Sequence, residues 1–365
     1  EHAASTSDKI SEQEGLSMQS VSMDIVRFQG NHYQFGYEQG QALKGSYLIE
    51  SRRKQFNKRD KTHFLTDQDE ALQLLTAIHS PMIEEVYGLR DALHISTEEA
   101  IRHFSGYYIE VNKSGCSIMN GNNFFVRNYD SHPDSYEGRF VMYQPTDGGY
   151  RSMGPSMQVT GRTDGMNEKG LVVGYNFTNR RHSGDGFICN MIARLLLETA
   201  ADVDEAVTLL KTIPHRRSFS YVLMDRTNKA VVVEATPRQV VTRQAHMCTN
   251  HFDILTEDNR YQYNESRERL EKVKSHWHNN MTIKQAYETF NTEAADIFST
   301  DYEHSSGTLH TIVYQPEEAV AYVGVARQTQ PVRIDLNDID KARGVYVKRI
   351  KGHLDWPRPY LNERT

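Results

Sequence analysis
The residue pattern of this chain changes at Cys116, and that change limits the folds open to it. Upstream, Leu72, Leu75, Ile78, Ile83, Val86, Leu89 and Leu93 recur at helical spacing, which predicts helix over residues 69–111. Ser96-Thr97-Glu98-Glu99 has the form of a capped start for a further helix ending near Tyr108. A strand is expected ahead of these at residues 22–29, after a loose polar stretch over residues 1–20. Downstream of Cys116 short strand-like runs take over. Residues 116–119 and 123–128 flank Asn120-Gly121, a strong hairpin signal. Strands follow at 140–143, 157–160 and 171–177, and helices at 188–200 and 203–210, the second with Asp202 as N-cap. Strands resume at 218–225, 230–235 and 240–244. Helices are expected at 264–276 and 282–290, with a closing hairpin over 309–315 and 319–325. Strands in runs and helices in pairs predict an α+β chain, an antiparallel sandwich flanked by helices.

At 365 residues the chain suits one large domain with an appended helical segment. A formal net charge of −6 argues against nucleic acid or an anionic membrane as main partner. No apolar run is long enough to span a bilayer, so no membrane partner is expected. The start, Glu1-His2-Ala3-Ala4-Ser5, lacks the apolar core of a signal peptide. The expected compartment is cytoplasmic, with a removed leader left open. Cys116, Cys189 and Cys248 are too few and too scattered for a disulfide framework. No Cys-x-x-Cys, clustered His/Cys spacing or zinc-protease histidine pair is present, so no metal or other cofactor is expected.

The chemistry concentrates in Ser114-Gly115-Cys116-Ser117 and the nearby Phe125-Val126-Arg127-Asn128-Tyr129-Asp130. A Gly-Cys junction between small residues is a place where a chain can cut itself, freeing the α-amine of Cys116. A free thiol, with a pKa of about 8.5, needs a base. An α-amine titrating at about 7.7–8.0 can serve. Arg127 would favour thiolate, and Asp130 would orient the amine. Attack on an amide carbonyl makes an oxyanion that needs preorganised donors. Asn176, in Gly174-Tyr175-Asn176-Phe177, and Asn250, in Cys248-Thr249-Asn250-His251-Phe252, end strand-like runs and are suitable. Cys248 is a rival nucleophile, but it lacks the preceding glycine and the following Arg/Asp pair. Cys189 reads as packing on a helix with Ile188, Ile192 and Leu195. Gly36 and Gly40 fall on one helix face, where close helix packing is the plain reading. Gly165 through Gly170 reads as a tight hairpin turn.

These segments, in this order, resemble a cysteine N-terminal-nucleophile hydrolase of the isopenicillin N acyltransferase family. More distantly they resemble choloylglycine hydrolases and penicillin V acylases. Gly30 through Gly40 resembles the family's pro-segment motif, and Gly115-Cys116-Ser117 its processing site. Arg127-Asn128-Tyr129-Asp130 matches the Arg-Asn-x-Asp turn shared with the choloylglycine hydrolases. Gly165-Met166-Asn167-Glu168-Lys169-Gly170-Leu171 is similar to the strand leading to their oxyanion asparagine. Thr249-Asn250-His251-Phe252 is similar to a second asparagine motif, and Ser266-Arg267 to a late arginine.

The resemblance implies a four-layer αββα fold, a pro-segment over residues 1–115, a catalytic domain over 116–365 and cleavage between Gly115 and Cys116. It also implies action on a carbon–nitrogen amide bond of an N-acylated small molecule, with Cys116, Arg127, Asp130, Asn176, Asn250 and Arg267 at the site. Hydrolysis and acyl transfer are both open; a transferase would take an acyl-CoA. A homo-oligomer is left open. Loops 131–138, 148–155 and 178–186 are candidates for specificity. The alternative is an uncleaved, non-catalytic scaffold of the same fold. A papain-like protease is disfavoured by the strand-rich region after Cys116.

Overall fold
The computed structural model describes residues 18–58, 67–107, 115–179, 183–259, 263–341 and 348–356. The chain opens with strand β1 (Met18–Gly30). Five helices follow: α1 (His32–Leu43), α2 (Tyr47–Lys58), α3 (Gln68–His79), α4 (Pro81–Leu93) and α5 (Thr97–Phe104). Then come β2 (Ser117–Gly121), β3 (Phe124–Ser131), β4 (Arg139–Pro145), β5 (Ser152–Met157), β6 (Gly161–Arg162), β7 (Asp164–Asn167) and β8 (Val172–Asn179). Helices α6 (Cys189–Thr199) and α7 (Val203–Thr212) precede β9 (Ser218–Met224), β10 (Ala230–Ala235), β11 (Val240–Arg243) and β12 (Met247–Cys248). Helices α8 (Tyr263–His276) and α9 (Ile283–Asn291) lead to β13 (Gly307–Gln315), β14 (Val320–Val325), β15 (Val332–Asp335) and β16 (Lys348–Asp355).

The larger sheet runs β11-β10-β9-β8-β7-β5-β4-β1-β16, with β6 paired to β5, and the smaller runs β12-β2-β3-β13-β14-β15. Strand alternation builds the layers. On β8, Val173, Tyr175 and Phe177 pack against the core of α2 to α7, while Val172 joins the core between the sheets. On β3, Phe125 and Tyr129 face the larger sheet, and Phe124 and Val126 pack under Val273 of α8 and Phe290 of α9. The result is the four-layer αββα sandwich. Among the described residues no helix is long and apolar enough to cross a membrane.

Several boundaries differ from the sequence pattern. The helix expected over 69–111 divides into α3, α4 and α5, because Pro81 starts a new helix and His94 takes a left-handed C-cap. Ser96 caps α5 by accepting from Glu99 N at 3.1 Å, but the helix ends at Phe104; Tyr108 and the rest of the expected end lie outside the described residues. The β2–β3 hairpin turns at Asn122-Asn123 rather than Asn120-Gly121, since Gly121 pairs with Phe124 and Asn123 takes the positive φ. The strand expected at 157–160 ends at Met157, because Gln158 and Val159 adopt positive φ. The pair β13 and β14 does not close the chain: β15 and β16 follow, and β16 pairs with β1. The polar stretch over residues 1–17 lies outside the described residues.

Strand β1 lies inside the larger sheet, parallel to β4 and antiparallel to β16. Residues on both sides of Gly115 therefore share one sheet. The preceding helices dock through α1 on α4. A Cβ on Gly36 would meet Glu85 O at 2.0 Å, and one on Gly88 would meet Tyr33 O at 2.2 Å. Only glycine allows that backbone approach. Beneath this pair Arg194 of α6 donates to Glu85 at 2.7 Å and to Glu198 at 2.5 Å, tying α4 to α6.

Candidate active site
Cys116 is the residue before β2, fully buried between the sheets. Strand β3 runs antiparallel beside β2, pairing Ile118 with Arg127. That register brings three of the expected residues into contact. Arg127 Nη2 lies 3.4 Å from Cys116 Sγ, and the thiol faces the Asp130 carbonyl at 3.8 Å. Arg127 also donates from Nη2 to Tyr175 O at 2.6 Å and from Nη1 to Asp164 Oδ1 at 2.6 Å and to Thr163 O. Burial alone would lower the guanidinium's pKa, but the charges of Cys116 and Asp164 outweigh it and hold Arg127 above its ordinary value. The site thus carries a fixed positive charge beside the sulfur.

Asp130 is also fully buried. Its Oδ1 accepts from Thr308 Oγ1 at 2.6 Å, and its Oδ2 has no hydrogen-bond partner among the described residues. Burial pushes its carboxyl up to about 7, against smaller lowering effects from Arg269, Thr308 and Arg127. Gly115 is buried, and a Cβ there would lie 3.3 Å from Ser306 Oγ and 3.5 Å from Arg269 Nη1.

The two asparagines come from different sheets, Asn176 from β8 of the larger and Asn250 from just past β12 of the smaller. Asn176, on β8, follows the Tyr175 carbonyl that Arg127 holds, and its Nδ2 donates to Cys248 O at 3.0 Å. Strand β12 pairs Cys248 with Ile118, and Asn250 follows two residues after that strand ends. Asn250 Nδ2 donates to Phe177 O at 2.8 Å, and its Oδ1 accepts from Arg269 Nη2 at 2.5 Å. An amide nitrogen carries two N–H groups, so Asn176 has a second donor beyond the bond to Cys248 O.

Arg267 is exposed on α8, while Arg269, two residues on, reaches Asn250. The geometry therefore puts Arg269 among these groups in place of Arg267. Sequence reasoning also missed Thr308 and Asp164. Asp164 accepts from Arg127, Thr163 Oγ1 at 2.8 Å and Tyr314 OH at 2.6 Å. It sits just ahead of the Gly165-Met166-Asn167 motif, which was the only available signal; Thr308 had none.

Burial pushes the Cys248 thiol up to about 11, and Cys189 is buried in the helix-side core. His310 stacks on Tyr129 at 5.2 Å, and burial lowers its pKa to about 4. Asn167 is structural: it donates to Leu197 O and Ala200 O and accepts from Lys169 N and Leu171 N, which fixes the turn ahead of β8. Of the loops expected to border the site, part of 178–186 lies outside the described residues.

No curated protein matches the sequence. Among solved structures, the chain is similar to a penicillin V acylase from Agrobacterium tumefaciens. That match has 18% identity and a TM-score of 0.45, over 64% of this chain and 90% of that one. It is similar to a conjugated bile acid hydrolase from Clostridium perfringens at 14% identity and a TM-score of 0.43, over 64% and 96%. A third match is the Caenorhabditis elegans ortholog of N-acylethanolamine-hydrolyzing acid amidase, at 16% identity and a TM-score of 0.39, over 55% and 93%. Residues 118–330 match the family described as acyl-coenzyme A:6-aminopenicillanic acid acyl-transferase. With more than half its length matched, the chain belongs to that family and is an enzyme of the acyltransferase and amidohydrolase type.

Proposed function
We propose that this protein is a self-processing enzyme whose nucleophile is Cys116, acting on the amide bond of an N-acylated small molecule. The observation that carries the reading is the convergence on one buried sulfur of Arg127, Asp130 and the last residue before the cut, Gly115. In processing, the Cys116 thiol attacks the Gly115 carbonyl. The Gly115–Cys116 C–N bond breaks as a thioester forms, and the nitrogen takes up a proton. Water then cleaves the thioester, leaving a Gly115 carboxylate and a free Cys116 α-amine.

That amine is the general base of the mature enzyme. It accepts the thiol proton as sulfur attacks the substrate carbonyl, and returns it to the departing amine as the substrate C–N bond breaks. Asp130 Oδ2 is free to take a hydrogen bond from the new ammonium. Asn176, through the second N–H of its amide, and Asn250, held by Arg269, are the candidate oxyanion donors. Water or an acceptor amine then breaks the carbon–sulfur bond. Where an amine is the acceptor, the acyl donor is an acyl-CoA or an N-acyl amide.

The test is intact mass under denaturing conditions with N-terminal sequencing. Two fragments are expected, one starting Cys116-Ser117-Ile118, and a single chain from Cys116→Ala. Turnover is then followed on N-acyl amino acids, penicillins and conjugated bile acids, with and without an acyl-CoA. A wild-type chain that stays uncut yet hydrolyses these amides, or a Cys116→Ala chain that does so, sinks the proposal.

A further inference from the structure
His32, His79 and Glu198 come from α1, α3 and α6, far apart in sequence, and converge at one point beside the loop after β4. We propose that these three side chains bind a divalent transition-metal ion of the zinc class, clamping the N-terminal helices onto the helix layer of the core. Their ligand atoms, two histidine nitrogens and one carboxylate oxygen, lie within 4.8 Å of one another. Each histidine Nε2 stands 2.8 Å from Glu198 Oε2. Zinc sits about 2.0–2.2 Å from nitrogen and oxygen ligands, so a tetrahedral ion needs ligand atoms about 3.3 Å apart. The two nitrogen–oxygen separations reach that spacing by opening about half an ångström, and the two nitrogens lie no more than 4.8 Å apart.

The outer partners are in place as well. Asp147 Oδ1 holds His32 Nδ1 at 2.7 Å and its Oδ2 holds His32 N at 3.0 Å, the carboxylate–histidine arrangement that orients a metal ligand. Arg194 occupies Glu198 Oε1, leaving Oε2 for the ion. Gly149 is exposed, and a Cβ there would lie 3.1 Å from His79 Nε2 and 3.3 Å from Glu198 Oε2. Its bare backbone keeps an approach open for the ion and for a water as fourth ligand.

Hydrogen bonding alone satisfies this cluster less simply. His32 faces a carboxylate at each ring nitrogen, which requires both to carry protons. An ion removes that requirement: Nδ1–H goes to Asp147 and the Nε2 lone pair to the metal.

The site is independent of Cys116, so it is tested in the full-length Cys116→Ala chain, where that thiol cannot take the ion. After treatment with a chelator, the protein is titrated with Co²⁺, followed by its visible tetrahedral bands, and with Zn²⁺ against a chromophoric chelator. One equivalent is expected, with a rise in melting temperature. His79→Gln abolishes the cobalt bands while the far-ultraviolet spectrum is retained, and the part-exposed Asp147→Asn loses roughly 10–100-fold in affinity. Absence of stoichiometric uptake, or unchanged cobalt bands in His79→Gln, overturns the proposal.

Discussion
The buried carboxyl of Asp130 gives the uncut chain a pH dependence that one substitution isolates. Burial raises its pKa from 3.8 to about 7. In the unfolded chain the carboxyl returns to its ordinary value. Between these values the folded state binds a proton that the unfolded state does not, so stability falls as pH rises. The loss begins near the unfolded value and levels off above the folded one. At 1.36 kcal/mol per unit, the Asp130 contribution between about pH 4.5 and about pH 8 is a loss of about 3 kcal/mol. Asn at this position keeps the shape and the acceptor for Thr308 but does not titrate. The assay is urea unfolding of full-length Cys116→Ala and of Cys116→Ala/Asp130→Asn at both pH values. Other titrating groups, including His310 and His215 with folded pKa values lowered to about 4, cancel in the difference. Relative to its parent, the Asn variant should gain about 3 kcal/mol on going from the lower pH to the higher. A parallel pair of stability curves would refute the reasoning, because Asp130 would then ionise in the folded chain as it does in water.

Three further outcomes follow from the contacts. Arg127→Met strands the buried Asp164 and should cost about 3–5 kcal/mol in urea unfolding, most of it regained in Arg127→Met/Asp164→Leu; a fully additive pair of losses would contradict this. Gly88→Ala places a methyl 2.2 Å from Tyr33 O and 2.6 Å from Tyr37 N, so α1 must lift from α4 at a cost of about 1–3 kcal/mol, read as a lowered urea midpoint. Arg269→Met removes the arginine that holds Asn250 Oδ1 and should lower kcat by roughly 10²-fold or more, a larger loss than Arg267→Met gives, with equal losses counting against the placement of Arg269.

Periodicity carried most of the architecture. The alternation in β8, β9 and β10 reports local backbone geometry, and each of these strands buries one face on helices and one between sheets. The caps at Ser96 and Asp202 are equally local, since a side chain there satisfies an amide three residues on. The contact among Cys116, Arg127 and Asp130 was legible for a related reason: one hairpin register sets it. The turn itself was misread by two residues. Asn123 lies between Asn228, which accepts from its N–H, and Glu317, which donates to its side chain, and no short-range rule knows of those partners.

Tertiary structure decided what depends on distant segments or on rotation about a helix. Arg267 and Arg269 differ by about 200° around α8, and burial of Ser266, Leu270 and Val273 selects which arginine turns inward. Strand β1 lies between β4 and β16 because its alternating Val21, Met23 and Ile25 complete the core between the sheets. Thr308 meets Asp130 across a pair of strands, β13 and β3, far apart along the chain. His32, His79 and Glu198 share one point only after three helices have packed. The sequence by itself determined most of the strand and helix pattern and the place of Cys116 at the head of a hairpin, because those are local properties of the backbone. Only the packed layers brought Asp164 to Arg127, Thr308 to Asp130 and Arg269 to Asn250, because these partners are set by burial of apolar faces far along the chain.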